Sequence, residues 1–79
     1  MWNNTEFRML SILGHLEKEV KYEKKIKMHS GRLHELYNLD APDELLFAEI
    51  TNLQNSIEEM KKEREIISKL CSQLYMKGE

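Results

Sequence analysis

His34-Glu-Leu-Tyr-Asn-Leu-Asp-Ala-Pro-Asp-Glu44, HELYNLDAPDE, holds the only proline of a 79-residue chain and separates two long stretches of helix-forming sequence. Proline lacks a backbone N–H and is tolerated in a helix only within the first turn, so Pro42 marks a helix start. Asp43 and Glu44 follow where the positive end of a helix favours acids, and Asp40 is placed to cap it with its carboxylate. Asn38 to Ala41 then reads as a link of a few residues. So short a link between two helices of near-equal length forces an antiparallel hairpin.

Downstream of the turn, Leu46, Ile50, Leu53, Ile57, Met60, Ile67, Cys71 and Leu74 alternate in steps of four and three, interrupted only by Arg64. That spacing is a heptad seam, with Ile50 and Ile57 at a and Leu46, Leu53, Met60, Ile67 and Leu74 at d. It predicts one helix over about 42–76, roughly 50 Å long at 1.5 Å per residue. Ile66, Leu70 and Phe47 fall beside this seam and widen its apolar stripe.

Upstream, the pattern predicts a first helix over about 5–37, with Asn3, Asn4 and Thr5 offering the cap and Glu6 near the positive end. Met9, Leu13, Leu16 and Val20 share one stripe; Tyr22, Ile26, His29, Leu33 and Leu36 share another, offset by about two residues. The two predict a seam shift near Val20, by a change of winding or by turning to another partner. Gly14 costs about 1 kcal/mol relative to alanine without ending the helix. Ser30-Gly31 is where the first helix would kink if it kinks anywhere.

Composition sets the class. With 41% apolar and 33% charged residues the chain is one small domain, 1–79, too charged for a membrane span and too apolar for a disordered tail. The start, MWNNTEFRMLSILGHL, lacks a basic segment and cleavage site, and Cys71 stands alone; both predict a cytoplasmic protein without an intrachain disulfide. The formal charge of −2 hides an order: residues 1–34 carry seven Lys/Arg against four Glu, 35–60 carry seven acids and no Lys/Arg, and 61–79 carry five against three. In an antiparallel hairpin the basic stretch Lys18 to Lys27 lies level with 53–62, where Glu58 and Glu59 can meet it.

Candidate chemistry is sparse. His34-Glu35-x-x-Asn38 lacks the second histidine of a zinc-binding HExxH, so His34 reads as an exposed residue near a helix end and no metal site is expected. His15 and Glu19, four apart, read as a hydrogen-bonded pair. His29 falls within the seam, where a polar residue sets register. Arg64 has the same register role at an a position, within reach of Glu17 or Glu19. The run EKEVKYEKKIK invites nucleic acid, with Tyr22 to stack and Lys18, Lys21, Lys24, Lys25 and Lys27 to meet phosphate. Glu17 with Lys21, Glu23 with Lys27, Glu58 with Lys62 and Glu65 with Lys69 are instead spaced i, i+4 for intrahelical pairs that cancel that field. A hairpin offers no enclosed cavity for a reacting group, so no enzyme, cofactor or small-molecule substrate is expected.

Two likenesses are local. ITNLQNSI (Ile50–Ile57) resembles the S-Q-E-L-D-x-x-I signature of sporulation-associated aspartyl-phosphate phosphatases at Leu53 and Ile57. Ile50, Thr51, Asn52 and Gln54 stand where that family has Ser, Gln, Glu and Asp, so its activity is not implied. APDELL (Ala41–Leu46) resembles the second-helix start of needle-subunit co-chaperones of type III secretion over one turn.

The expectation is an all-α helical hairpin, coiled-coil-like, dimerising into a four-helix bundle. Trp2, Phe7, Met9, Leu10, Ile12 and Leu13 near the open end, and Leu39, Leu45 and Phe47 near the turn, exceed what one seam can hide. Phe7, Leu10, Phe47, Ile66, Leu70, Leu74 and Tyr75 are the interface candidates; His29 and Arg64 are the register candidates. The function expected is protein binding, as a regulator, inhibitor or co-chaperone acting on itself and on a helical protein partner. A structural subunit and a nucleic-acid binder using Lys18–Lys27 are the alternatives.

Overall fold

The computed structural model describes residues 4–77, with side-chain surroundings for 5–74. It contains two helices, α1 (Asn4–Asn38) and α2 (Asp43–Lys77), of 35 residues each. They pack against each other as an antiparallel hairpin measuring 57 × 18 × 14 Å. Trp2, the cap residue Asn3 and the side chains of Asn4, Tyr75 and Met76 lie outside the described residues. Among the described residues no helix is long and apolar enough to cross a membrane.

The turn is closed differently from expectation. Asp40 has φ 53° and is the one non-glycine residue in the left-handed region among those described. Its N–H donates to Tyr37 O (3.2 Å), and the Ala41 N–H donates to Leu36 O (3.0 Å). These two bonds and the left-handed residue form a Schellman motif, which satisfies the last carbonyls of α1. Asp40 therefore ends α1 through its backbone and is not the side-chain cap of α2. The start of α2 rests on Pro42, whose carbonyl accepts from Leu45 N (3.0 Å) and Leu46 N (3.3 Å).

α1 runs unbroken through Ser30-Gly31. Its covered side chains continue in one series, Ile12, His15, Glu19, Tyr22, Ile26, His29, Leu33 and Leu36, stepping by three and four. The seam does not shift near Val20. Met9, Leu13, Leu16 and Val20 form a separate row that stays exposed. Polar residues His15 and Glu19 carry the seam through the stretch where its apolar pattern lapses.

α2 uses a phase one residue away from the heptad read in sequence. Leu46, Leu53, Met60, Ile67 and Leu74 lie in the seam as expected, but Glu49, Ser56, Glu63 and Leu70 lie between them. Ile50 (44% exposed) and Cys71 stand outside it, as does Arg64, while Ile57 is half-covered at its border. Leu70 is thus a seam residue, not a flanking one. The apolar pattern favoured the other phase; the histidines of α1 decide between them, because only this phase brings acids to His15 and His29.

Candidate functional site

The centre of the hairpin is a polar row. His15 Nδ1 meets Glu63 Oε2, and His29 Nδ1 meets Glu49 Oε1, both at 2.5 Å. His15 therefore pairs across the hairpin, not with Glu19. Both pairs are centred on Leu39, and the members of each helix stand two heptads apart, so one antiparallel register satisfies both. The same register puts Tyr22 level with Ser56, and Ser56 is buried. Glu49 is 5% exposed, less than Ile12, the buried apolar residue of the core. Arg32 Nη1 lies 4.0 Å from Glu49 Oε2. No described buried side-chain N or O atom lacks a hydrogen-bond partner, so the polar row is internally satisfied. Sequence reading missed Glu49 and Glu63. The equal spacing of His15 to His29 and of Glu49 to Glu63 was the signal that could have found them.

Arg64 stands at the edge of the seam, 54% exposed, and bridges the helices. Its Nε donates to Glu19 Oε2 (2.8 Å) and its Nη2 to Glu23 Oε1 (3.4 Å). Glu19 was one of its two anticipated partners. Around Glu58 and Glu59 the pairs stay within α2: Gln54 Nε2 donates to Glu58, and Lys62 Nζ lies 3.5 Å from Glu59.

These contacts separate the hairpin into two flanks. One follows positions seven apart, with Met9, Leu16, Glu23, Ser30 and Tyr37 on α1 and Ile50, Ile57, Arg64 and Cys71 on α2. The Arg64–Glu23 bond and a groove lined by Ser30, Leu33, His34, Tyr37, Asn38, Leu46 and Ile50 tie its two sides together. Leu13 and Val20 from α1 and Phe47 from α2 extend the same flank outward. Met9, Leu13, Leu16 and Val20 occupy its open half and Tyr37, Phe47 and Ile50 its turn half, all exposed, with Glu23, Lys27, Lys61 and Arg64 between. His34, exposed, stands on the rim of the groove, and among the described residues no three His, Cys, Asp or Glu side chains converge.

The second flank mixes basic and polar residues with the exposed apolar side chains of Phe7, Met28, Leu45 and Ile66. It carries Lys18, Lys25 and Arg32 beside Lys21, facing Asn52, Glu59 and Lys62 of α2. Helical geometry sends Lys24 to the back of α1 and Lys27 to the first flank, so the lysine run is divided. Tyr22 lies half-covered in the seam, with the Lys25 ammonium 5.6 Å over its ring.

The interface candidates divide likewise. Phe47 is exposed on the first flank; Phe7 and Ile66 are exposed toward the second, and Leu10 is exposed on the back of α1. Leu70 and Leu74 are half-covered within the seam, and the Tyr75 side chain lies outside the described residues. Of the two register candidates, His29 lies in the seam and Arg64 outside it. Comparison of this chain with models of protein families, with curated proteins and with solved structures finds no match.

Proposed function

We propose that this protein is a small non-enzymatic interaction module, a regulator, inhibitor or co-chaperone, that works by packing helices against a protein surface. The observation that carries this reading is the first flank: seven large apolar side chains from both helices are exposed, in two patches, on one side of a hairpin whose seam gives four of its positions to two His–Glu pairs. Exposed apolar patches rimmed by polar residues mark protein contact sites. The groove beside it is open along the flank and excludes no water, which suits a docking side chain better than a reaction.

Photo-crosslinking side chains placed one at a time at Leu13, Phe47 and, on the back of α1, Lys24 test the proposal in host cells, the compartment expected being the cytoplasm. Protein adducts concentrated at Leu13 and Phe47 are the expected result. Adducts equally frequent at Lys24, or none at any position, would overturn it.

Nucleic-acid binding is the weaker reading. The lysines are split between faces, and Tyr22 is engaged by the seam and Lys25. A mobility shift that weakens steeply with salt would restore it.

A further inference from the structure

We infer that the first flank is closed by a second copy of this chain, giving a two-layered four-helix dimer; this rests on the interaction reading above and names the occupant of that surface. The hairpin is one helix layer, 14 Å in its thinnest dimension, whereas a stable domain sets at least two layers around a core. Its radius of gyration of 17.8 Å compares with about 12 Å for a compact chain of this length. The accessible surface is 6437 Å², against about 5,000 Å² for a compact monomer of this mass.

The area that a second copy would cover is of the size a stable dimer needs. Two hairpins merged into one compact particle would expose about 8,400 Å², burying together about 4,500 Å². That lies in the range of obligate dimers, about 2,000–5,000 Å². A second hairpin supplies this area in one step, with the same apolar chemistry.

The layout of the flank agrees. Leu13 and Leu16 lie on one side of a charged waist and Phe47 and Ile50 on the other, with the Arg64–Glu23 pair between. A two-fold axis in the plane of this face can return apolar side chains onto apolar side chains, which an isologous contact requires. Lys27 and Lys61 at the waist can cover apolar neighbours with their stems while their ammonium groups reach solvent. The second flank exposes fewer large apolar side chains, Phe7, Met28, Leu45 and Ile66, and sets them among lysines and asparagines.

Light scattering at micromolar concentration should give twice the 9.5 kDa chain mass. Leu13→Lys and Ile50→Lys should each raise the dimer Kd by about a hundredfold or more, because each buries an unpaired ammonium. Phe7→Lys, on the other flank, should remain dimeric. Since a lysine variant could simply unfold, a milder pair checks the same face: Leu13→Cys and Phe7→Cys, each with Cys71→Ser. The thiol at position 13 should become protected from alkylation as protein concentration rises, and that at position 7 should not. A wild-type chain that is monomeric and helical, or equal reactivity of both thiols at every concentration, overturns the inference. Adducts to another protein at Leu13 and Phe47 with a monomeric mass would overturn the second copy alone; absence of adducts as well would remove the interaction reading with it.

Discussion

Asp40 adopts a left-handed conformation that costs most side-chain-bearing residues about 1–2 kcal/mol, and less for Asp and Asn, whose short side chains tolerate it. Glycine has no Cβ to clash there and is the usual residue of this motif. Asp40→Gly should therefore stabilise the hairpin by about 0.5–1 kcal/mol, read as a rise in denaturation midpoint, whereas Asp40→Val should lower it. A loss of stability with glycine would show that the Asp40 carboxylate does more than tolerate the turn. The half-buried polar row makes the opposite kind of demand. Glu49→Ala leaves His29 and Arg32 facing an uncharged gap and should cost about 1–3 kcal/mol. Exchanging both partners, His29→Leu with Glu49→Leu, should recover most of that loss, since apolar groups of suitable shape need no partner. Equal losses in the single and double variants, measured by urea unfolding, would contradict this account.

Each helix spans about ten turns, far longer than the turn can organise by itself, and α1 has a weak apolar stripe through its middle. Continuity there depends on α2: His15 to Glu63 and Arg64 to Glu19 hold the stretch in which the apolar seam lapses. Gly14 and Gly31 contribute nothing that alanine could not, because a Cβ added at either would meet no atom within 4 Å. Gly14→Ala and Gly31→Ala should each stabilise by about 0.5–1 kcal/mol through lost chain entropy in the unfolded state. Calorimetry would check it, and a drop in melting temperature at Gly31 would reveal a bend needed at that point. In α2, Leu53→Ala should cost about 1–3 kcal/mol, toward the lower end for core leucines because the residue is half-covered. Leu10→Ala, on the exposed back of α1, should stay within about 0.5 kcal/mol.

For the whole molecule, the antiparallel arrangement is recorded in its cross-helix ion pairs. Arg64 of α2 reaches Glu19 and Glu23 of α1, residues more than 40 positions away in sequence. Arg64→Glu should destabilise modestly, by about 1 kcal/mol or less, because the pair is exposed on the arginine side. Adding Glu19→Arg should recover part of that loss. A double-mutant cycle in low salt with no coupling between these positions would place the two helices in another register. Mixing each single variant with its complement then tells whether the coupling lies within one hairpin or between two.

The sequence alone determined the number of helices and their direction: one proline with acids behind it starts a helix, and a link this short returns the chain on itself. It also marked half of the α2 seam, since Leu46, Leu53, Met60, Ile67 and Leu74 belong to either heptad phase. Which phase the hairpin uses, and which side chains are left outside it, was decided by tertiary structure. A helix with apolar residues on two overlapping stripes can bury either. Hydrophobic pattern counts Ile50 and Cys71 as core; an opposing histidine changes that preference by giving Glu49 and Glu63 a partner they could not have within their own helix. Pairing across the seam depends on both helices at once. It consumes the polar stripe inside the hairpin and turns Met9, Leu13, Leu16, Phe47 and Ile50 outward, where burial requires a surface that this hairpin does not itself supply.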